Sequence, residues 1–295
     1  MRSRINGFPP FRFGLQRWIY VVYESAQHCP MCNKLNGFFN LSATYKLDSD
    51  FTSIYITDTA LTWGLNKNFN LNENYLSNKT KFSFAMMSSC DASSKRLEYI
   101  NELKLYIDID IYGKGSCSND KNKTCINNSK LCSKKYLSSI YKFYFAFENS
   151  VCNDYVTEKF LKIIHYNVIP VVLGGADYSN YAPKSAYINA FDYESPKDLA
   201  DYLLYLSGNE TAYNEYFKWK LWIDTSNKNP FQAYICEMCI KLHLEKYTGI
   251  EKSQIGDVNK LMSMENNCRG LKKSVIKKFE WISSPKLLSM KNFES

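Results

Sequence analysis

The sequence predicts an α/β fold built around a parallel sheet, and three observations support this prediction. Between residues 81 and 207, strand-like and helix-like segments alternate, as they do in βαβ units. The segment VIPVVLGG is a continuous apolar run, which is typical of a strand buried on both faces of a sheet. The chain has 295 residues, of which 45% are hydrophobic, and this is enough for one large domain or two smaller ones.

The alternating region contains five predicted strands and three predicted helices. The strands are KFSFAMMSSC, DIDIYGKG, KFYFAF, VIPVVLGG and SAYINAF, and the helices are SSKRLEYINELKLYI, TEKFLKIIHY and SPKDLADYLLYLS. The first helix is indicated by apolar residues at helical spacing, namely Leu97, Ile100, Leu103 and Ile107. Ser195 is well placed to cap the last helix. The polar, cysteine-bearing segment CSNDKNKTCINNSKLC reads as an insertion between two of these elements.

We predict three zones along the chain. Residues 1–79 contain a strand-like run, RWIYVVYES, followed by an Asn-rich loop, and they form a first, smaller domain. Residues 80–247 form the alternating α/β domain. Residues 248–295 are rich in Lys and only weakly periodic, so we expect a basic surface helix or a partly ordered tail.

The composition narrows the classes of ligand. The formal net charge of +8 favours an anionic partner such as a nucleotide or a phosphate. The sequence contains no Arg-rich or aromatic-basic repeat, so no nucleic-acid partner is predicted. Aromatic residues make up 16% of the chain, which suits a packed core and surfaces that stack on sugars or bases.

Ten cysteines and five Asn-x-Ser/Thr triplets together indicate an oxidising, secretory compartment. An Asn-rich and Ser-rich chain also produces such triplets by chance. The candidate glycosylation sites are Asn40, Asn78, Asn122, Asn127 and Asn209. The sequence shows neither a signal peptide nor an apolar run long enough to span a membrane. We therefore expect either a piece of a longer protein or a chain that has lost a segment from its start.

The stretch FENSVCNDYVTEKF places polar and charged residues at the end of one predicted strand and at the start of the next helix. Ligands of parallel sheets bind beyond the carboxyl ends of the strands, and a helix start attracts anions. Thr157 or Asp154 could cap this helix, which puts Glu158 and Lys159 in its first turn. The alternative is an ordinary helix start, where Glu158 interacts with the helix dipole and Lys159 points to solvent.

A second basic site follows the first strand of the alternating region. Lys95 and Arg96 lie near the start of the next helix, at the same predicted edge of the sheet. Two helix starts that carry basic residues at one edge suit a pyrophosphate between them. The glycines of YGKG and LGG form neither a Walker motif nor a dinucleotide-binding fingerprint. The residues therefore predict a nucleotide-diphosphate ligand.

The stretch FYFAFENSVCNDYVTEKF, followed by VIPVVLGG, closely resembles the donor-binding motif of the α1,3-fucosyltransferases of glycosyltransferase family 10, which use GDP-fucose. The segment SSKRLEYINELKLYIDIDIYGKG resembles the helix and strand that precede this motif in the family. ESAQHCP and FNLSATYKLDSD resemble the acceptor-side motifs, so that the resemblance covers residues 9–243.

The resemblance implies a GT-B-like α/β fold in which two Rossmann-like domains face a cleft. Residues 1–79 would then form the acceptor-side domain and residues 80–247 the GDP-fucose-binding domain. The family also implies inverting transfer in the Golgi lumen by a type II membrane protein, whose anchor would lie outside this sequence. It implies no essential metal, with a divalent cation at most stimulatory. The expected partners are GDP-fucose and an N-glycan acceptor on glycoproteins.

The resemblance also assigns roles to individual residues of the donor side. Asn149, Tyr155, Glu158 and Lys159 would contact GDP-fucose, and Arg96 would contact its phosphates. Fixed cations would stabilise the negative charge that develops on the departing GDP. Glu158 would support the oxocarbenium-like fucose.

On the acceptor side, Glu24 matches the family's candidate for the general base. A free Glu titrates near pH 4.3, so a useful base would need a pKa raised by partial burial. The alternative is an ordinary carboxylate at the end of a strand. His28 is a weaker candidate that we expect to contact the acceptor or to be structural. Asp48 and Asp50 resemble an Asp-x-Asp metal site, but in this context we expect them to be structural or acceptor-side.

The cysteines leave several arrangements open. The pairs Cys29/Cys32 and Cys236/Cys239 could together form a four-thiolate zinc site, although the secretory setting favours disulfides. Cys236 and Cys239 resemble a disulfide of the family. Another group resembles the cysteine-bearing loop of core-type family members, and it consists of Cys117, Cys125, Cys132 and Cys152.

Departures from the family pattern leave alternatives to an active transferase. Leu47 replaces an Arg, Ala26 replaces the Pro after Glu-Ser, and Ser89 lies where a strand ends in Ser-Asn. Met1 comes only shortly before Glu24, so we expect the acceptor domain to be incomplete. The leading hypothesis is transfer to a core or antennary GlcNAc of N-glycans. The alternatives are a non-catalytic remnant that binds GDP-fucose or glycans and a cytosolic zinc-containing nucleotide-binding protein.

Overall fold

The structure is a computed structural model, and it describes residues 11–14, 16–28, 35–51, 62–113, 117, 133–224, 230–249, 255, 258–262 and 267–269. In chain order, the strands are β1 (Ile19–Val22), β2 (Leu41–Thr44), β3 (Thr62–Trp63), β4 (Lys81–Met86), β5 (Ile109–Tyr112), β6 (Tyr141–Phe147), β7 (Val151–Cys152), β8 (Ile169–Leu173), β9 (Ile188–Asn189), β10 (Ile223–Asp224) and β11 (Cys268–Arg269). The α-helices are α1 (Arg96–Leu103), α2 (Lys134–Ile140), α3 (Glu158–Leu161), α4 (Pro196–Gly208), α5 (Glu210–Glu215), α6 (Pro230–Thr248) and α7 (Val258–Met262).

Five strands form the central sheet, in the order β5-β4-β6-β8-β9. All four neighbouring pairs are parallel, as the alternation of strand and helix patterns predicts. Strands β6 and β8 are almost entirely buried, which explains why their sequences are continuous apolar runs instead of alternating patterns. Four of the five predicted strands are confirmed at close to their predicted positions, and the fifth, β9, is reduced to two residues.

The two faces of this sheet pack against different helices. On β6, Phe143, Phe145 and Phe147 belong to the apolar cluster that α1, α4 and α5 cover. Tyr144 and Ala146 point the other way, into the cluster that α2 and α3 cover. This alternation follows from the pleat of a strand, which directs successive side chains to opposite faces. Residues at the end of β6 can therefore reach groups on both sides of the sheet.

The helix predicted for TEKFLKIIHY is much shorter than its sequence pattern. Helix α3 has four residues, and the chain then tightens into a 3-10 turn over Ile163–His165. Thr157 caps the helix by accepting a hydrogen bond from the backbone N–H of Lys159. So few aligned peptide units sum to a small dipole, and the electrostatics of this region therefore depend mainly on side chains.

The N-terminal part of the chain contains a second, smaller parallel sheet of β1 and β2. Leu41 and Ala43 of β2 are buried together with Phe51, and Met238 and Leu242 of α6 pack against them. All but the last residue of helix α6 lies within the range predicted for the donor-side domain, yet the helix packs on the sheet predicted for the acceptor side. The limits of the two domains themselves stay a prediction. Within the described residues, no helix is both long and apolar enough to cross a membrane.

The prediction of a surface tail for residues 248–295 is wrong for residues 258–262 and 267–269, whereas residues 248 and 249 are exposed. Val258 and Met262 of α7 are fully buried in a cluster with Tyr20 of β1. Strand β11 pairs with β7, and a disulfide joins Cys268 to Cys152. The apolar residues and the disulfide hold this segment on the body of the protein, despite its many lysines. Residues 270–295 lie outside the described part of the chain.

Two glycines of the predicted turns are required by close backbone contacts. A Cβ at Gly113 would lie 1.7 Å from the carbonyl oxygen of Met87, and one at Gly175 would lie 2.7 Å from that of Cys152. Both positions therefore exclude any larger residue. The glycines let neighbouring chain segments approach one another at the end of the sheet.

Candidate active site

A cavity of about 550 Å³ opens at the carboxyl ends of β4 and β6. The chain passes from β4 to β5 on one side of β4 and then returns to β6 on the other side, so this is the switch point of the sheet. Ligands of open parallel sheets bind at such points. All six residues predicted to bind or transform the ligand line this one cavity, namely Glu24, Arg96, Asn149, Tyr155, Glu158 and Lys159.

Lys159 lies at the centre of a buried charge network. Its Nζ is 3.1 Å from the carboxylate of Glu148, donates a hydrogen bond of 2.9 Å to Thr157 Oγ1, and is 3.5 Å from the carboxylate of Glu158. Burial opposes the charge of Lys159, but the two carboxylates outweigh it and raise the pKa of the ammonium group. The alternative that Lys159 points to solvent is therefore wrong, since its side chain is only 16% exposed.

Glu148 is the counter-ion of this network and is completely buried. Its carboxylate accepts hydrogen bonds of 2.9 Å from the backbone N–H and the hydroxyl of Thr157. These bonds tie the first residue after β6 to the start of α3. A buried charge needs such partners, and Glu148 obtains them from Thr157 and Lys159.

Glu158 is partly exposed and faces the cavity. Burial disfavours its charged form, but the ammonium groups of Lys159 and Lys134 outweigh this and hold the pKa of Glu158 below its usual range. Glu158 is therefore an anion at neutral pH. It can accept hydrogen bonds from sugar hydroxyls or stabilise a positively charged sugar ring, and it is not poised to act as an acid.

Arg96 is almost completely buried at the start of α1. Its two terminal nitrogens donate hydrogen bonds to the carbonyl oxygens of Phe147 (2.9 Å) and Ser89 (3.0 Å). Burial lowers the pKa of the guanidinium, and the charge of Glu148 opposes this effect. Lys95, which the sequence pairs with Arg96, instead forms ion pairs with Asp91 and Glu98, away from the cavity lining.

Three buried polar atoms around the cavity have no hydrogen-bond partner among the described residues. They are Arg96 Nε, Asn149 Oδ1 and the hydroxyl of Tyr144. An unpaired buried polar atom costs roughly 1–3 kcal/mol, so proteins seldom keep several of them together without a reason. A polar ligand that supplied an acceptor to Arg96 and a donor to Asn149 would remove this cost.

Glu24 approaches the cavity from the N-terminal sheet, on the loop after β1. The loop is fixed by a hydrogen bond of 2.8 Å between the buried hydroxyls of Ser25 and Ser150, and by one from the backbone N–H of Ala26 to Tyr45 (3.2 Å). Tyr45 in turn makes an edge contact with the ring of Tyr155. Glu24 itself is exposed, so the partial burial that we expected for a base is not seen in the structure.

The other acceptor-side candidates lie away from the cavity lining. His28 is exposed. Asp50 accepts hydrogen bonds of 2.8 Å from the backbone N–H and the hydroxyl of Ser42, and it holds β2 in place. Asp48 is exposed and forms an ion pair with Lys46. The two aspartates therefore have structural partners, and the described part of the chain holds no cluster of three or more His, Cys, Asp or Glu that could bind a metal ion.

The positions that depart from the family pattern have different environments. Leu47 is half exposed on the surface. Ala26 is buried and packs in the cluster that also contains Tyr45 and Tyr155. The carbonyl of Ser89 accepts the hydrogen bond from Arg96, so the contact depends on the backbone at this position and not on its side chain.

Sequence reasoning missed three residues of the site. Glu148 is buried behind Lys159, Tyr144 lines the cavity from β6, and Lys134 lines it from the start of α2. Glu148 and Tyr144 belong to the stretch FYFAFENSVCNDYVTEKF, but nothing in the local pattern distinguishes them from an ordinary strand end. Lys134 follows the cysteine-rich insertion and reaches the site only through tertiary packing.

The structure corrects the predicted pairing of Cys236 and Cys239, which are both free and exposed. They lie three residues apart on α6, where Cβ atoms are about 5–6 Å apart, whereas a disulfide needs about 3.5–4.5 Å. The disulfides of the described residues are Cys152–Cys268 and Cys90–Cys117. The remaining candidates, Cys29, Cys32, Cys125 and Cys132, lie outside the described residues.

The glycosylation candidates are not equivalent in the structure. Asn40 is buried and its side-chain oxygen accepts hydrogen bonds from Arg12 and from the backbone N–H of Trp18, so the folded protein cannot carry a glycan there. Asn78 is exposed. Asn209 caps α5 and is partly exposed. Asn122 and Asn127 lie outside the described residues.

The fold and the cavity define a class of protein. A parallel sheet with a charged cavity at its switch point, faced by a loop from a second parallel sheet, is the arrangement of an α/β protein that binds a nucleotide between two units. The chain matches two family models, namely the fucosyltransferase C-terminal model of glycosyltransferase family 10 over residues 76–261 and the fucosyltransferase N-terminal model over residues 2–56. The chain belongs to glycosyltransferase family 10, the fucosyltransferases.

Curated relatives agree with this assignment. Glycoprotein 3-alpha-L-fucosyltransferase A of Drosophila melanogaster is 38% identical over 220 residues, which are 72% of this chain and 41% of the relative. Alpha-(1,3)-fucosyltransferase C of the same species is 35% identical over 70% of this chain and 50% of the relative. The Bos taurus 4-galactosyl-N-acetylglucosaminide 3-alpha-L-fucosyltransferase 9 is 32% identical over 80% of this chain and 62% of the relative. The chain thus spans about half the length of the curated relatives it matches.

Solved structures show the same fold. A crystal structure of an α1,3-fucosyltransferase with GDP-fucose aligns over 78% of this chain and 75% of its own, with 17% identity and a TM-score of 0.54. A structure with GDP aligns over 76% and 74%, with 19% identity and a TM-score of 0.53. The predicted GT-B-like α/β fold is confirmed.

Proposed function

We propose that this chain catalyses the inverting transfer of fucose from GDP-fucose, in α1,3 linkage, to a GlcNAc of N-glycans in the Golgi lumen. The observation that carries the proposal is the cavity at the switch point, which Arg96, Lys159 and Glu24 all line. A cationic donor side and an acidic acceptor side are the two halves that a metal-independent sugar transfer needs. The disulfide between Cys152 and Cys268 supports an oxidising compartment.

The donor side would act on the leaving group. As the bond between fucose and GDP breaks, negative charge grows on the diphosphate, and preorganised cations in a partly buried site stabilise it. Lys159 is held in place by Glu148 and Thr157, and Arg96 by two backbone carbonyls, so little reorganisation is needed during the reaction. Because side chains supply this charge, we expect transfer to continue in EDTA, with a divalent cation at most stimulatory.

The acceptor side would act on the attacking hydroxyl. Inversion requires attack from the face opposite GDP, with a base that accepts the hydroxyl proton. Glu24 lines the same cavity as the donor cations and would play this role. An acceptor sugar bound in the cleft would cover Glu24 and reduce its exposure. Glu158, which is anionic, would stabilise the positive charge on the fucose ring.

The exposure of Glu24 favours a second candidate function. A base is usually partly shielded from water, whereas this carboxylate is exposed. A chain that retained the donor cavity but could not hold an acceptor against Glu24 would bind GDP-fucose or glycans without transfer. The two functions share the donor site, so GDP binding alone does not separate them.

A transfer assay tests the proposal and identifies the acceptor. The chain would be expressed in a secretory host and given GDP-fucose with a trimmed N-glycan core or an N-acetyllactosamine oligosaccharide, with and without EDTA. The names of the relatives include both glycoprotein and 4-galactosyl-N-acetylglucosaminide fucosyltransferases, so both acceptors are needed. We expect mass spectrometry to show the gain of one deoxyhexose on one of them. No gain together with intact GDP binding would establish the non-catalytic alternative, and the absence of both would overturn the proposal.

A further inference from the structure

Lys134, the first residue of α2, is a cation of the cavity that has no role in the reaction proposed above. Its Nζ donates a hydrogen bond of 3.0 Å to the backbone carbonyl of Glu158. The same ammonium group lies 5.7 Å from the centre of the Tyr144 ring, over its face. Both Lys134 and Tyr144 line the cavity, and the Tyr144 hydroxyl is one of its unpaired buried atoms.

Lys134 differs from Lys159 in the partners of its ammonium group. The charge of Lys159 is met by Glu148 at 3.1 Å and by Glu158 at 3.5 Å. The described part of the chain offers Lys134 a neutral carbonyl and an aromatic ring but no carboxylate within ion-pair distance. The ammonium group of Lys134 can therefore form an ion pair with an anionic ligand, and two of its three N–H groups remain to donate hydrogen bonds.

The balance of charges supports the same conclusion. Arg96 and Lys159 are accompanied by the carboxylates of Glu148 and Glu158, so these four groups sum to zero. A diphosphate carries at least two negative charges, and without a further cation it would meet a neutral site. Lys134 makes the donor half of the cavity net positive.

The position of Lys134 in the fold complements that of Arg96. Helix α1, which carries Arg96, packs on one face of the sheet, whereas α2 and α3 pack on the other face. A diphosphate above the ends of β4 and β6 would then be held from both faces of the sheet. Such a clamp fixes the direction in which the leaving group departs.

We propose that Lys134 binds the diphosphate of the sugar nucleotide, opposite Arg96, as a third cationic contact. The inference rests on the proposed function and names a further residue of the same site. A charge-assisted hydrogen bond from Lys134 to a phosphate oxygen would form when the donor binds and would strengthen as GDP leaves.

Titration of Lys134 provides a readout that a purely structural lysine would not give. Burial lowers the pKa of Lys134 to about 8, with Lys159 and Lys162 acting in the same direction and Glu158 and Glu148 opposing them. A bound diphosphate favours the protonated form, so the affinity for GDP should fall as the pH rises above 8. The hydroxyl of Tyr144 stays protonated throughout, because burial raises its pKa far above this range.

The experiment compares the binding of GDP and of guanosine, measured by displacement of a fluorescent GDP analogue, between pH 7.0 and 9.0. Lys134→Met removes the charge but keeps most of the apolar stem, and Lys134→Arg keeps a charge that does not titrate in this range. The exposed neighbour Lys135 gives the matched control, Lys135→Met. Thermal unfolding of each variant shows whether it is folded.

We expect Lys134→Met to weaken GDP binding roughly tenfold to a hundredfold, as the loss of a charge-assisted hydrogen bond does, and to leave guanosine binding unchanged. Lys134→Arg should keep GDP affinity and lose the decline above pH 8, and Lys135→Met should behave as wild type. Equal GDP affinity in Lys134→Met, or equal weakening of GDP and guanosine, would overturn the inference but leave the proposed function standing. A wild-type chain that binds neither compound would overturn both.

Discussion

The ion pair of Lys159 and Glu148 shows at the residue scale what a motif can and cannot predict. Lys159 follows from the sequence, because a basic residue at a helix start beyond a strand end suggests an anion site. Glu148 does not, since a carboxylate directly after a strand has no pattern that marks it as buried. Only the folded chain shows that Thr157 and Lys159 surround it.

The ion pair predicts that the loss of Lys159 affects both GDP binding and the stability of the fold. Lys159→Met should abolish measurable GDP binding and also lower the free energy of unfolding by about 3–5 kcal/mol, because Glu148 stays buried without its counter-ion. The measurements are GDP titration calorimetry and urea unfolding. The control is Lys184→Met, which removes an exposed lysine outside the cavity lining.

A double variant separates the two effects of Lys159→Met. In Lys159→Met/Glu148→Gln the buried charge is gone, so stability should recover in part while GDP binding stays lost. If the double variant were no more stable than Lys159→Met alone, the cost would not come from the uncompensated carboxylate of Glu148. If Lys159→Met bound GDP normally, Lys159 would not be a donor contact.

Glu24 carries the prediction that distinguishes catalysis from binding. Glu24→Gln keeps the size of the side chain and its hydrogen-bonding capacity but cannot accept a proton at neutral pH. We expect GDP affinity close to wild type and a loss of transfer of about 10²–10⁴-fold, the usual contribution of a general base. Initial rates with saturating GDP-fucose and each acceptor would measure this. Transfer at the wild-type rate would remove Glu24 as the base.

At the scale of elements, the sequence predicts what local periodicity determines. Strands β4, β6 and β8 follow from apolar runs, and α1 and α4 from their spacing and, for α4, from the cap at Ser195. The two-residue strands β7 and β11 could not be predicted, because their pairing joins residues 116 positions apart. Tertiary contacts of this kind leave no local pattern, and they also explain why part of the presumed tail is buried.

Helix α6 predicts a difference in reactivity between two groups of cysteines. Since Cys236 and Cys239 are free and exposed there, iodoacetamide should alkylate both in the native, unreduced protein, whereas Cys152 and Cys268 should react only after reduction and unfolding. Peptide mass spectrometry of the native and reduced samples shows which of these four cysteines are alkylated. Protection of Cys236 and Cys239 that disappears on reduction alone would restore the disulfide that the family resemblance implies.

At the scale of the whole molecule, we expect the free energy of unfolding to depend on pH through two lysines that lie away from the active site. At the opposite end of the sheet from the cavity, Lys220 donates hydrogen bonds to the carbonyl of Tyr166 (2.6 Å) and to the side chain of Asn167 (3.3 Å). Lys79 donates to the carbonyls of Ser138 and Asn167. Burial lowers the pKa of Lys220 to about 7, helped by the charge of Lys79, and burial lowers the pKa of Lys79 itself to about 8.

These two lysines should make the protein more stable as the pH rises from 7.0 to 8.5. In this window the unfolded chain keeps both lysines protonated, whereas the folded chain releases their protons, so the unfolded state binds more protons and the free energy of unfolding increases with pH. From these two lysines we expect a gain of about 2 kcal/mol in urea unfolding at pH 8.5 relative to pH 7.0. Above this window, tyrosines of the unfolded chain begin to ionise while the buried ones resist, which reverses the trend.

Lys220→Met tests the origin of this gain in stability. It removes the lysine whose pKa is lowered more, and it keeps an apolar side chain of similar length. The variant should show a clearly smaller increase between pH 7.0 and 8.5, and Lys218→Met, which removes an exposed lysine paired with Glu215, should keep the wild-type increase. Because Lys220 lies outside the cavity lining, GDP affinity should not change in either variant. An unchanged pH dependence in Lys220→Met would mean that the enclosed ammonium group is not deprotonated in the folded protein, and that its hydrogen bonds to Tyr166 and Asn167 compensate for burial.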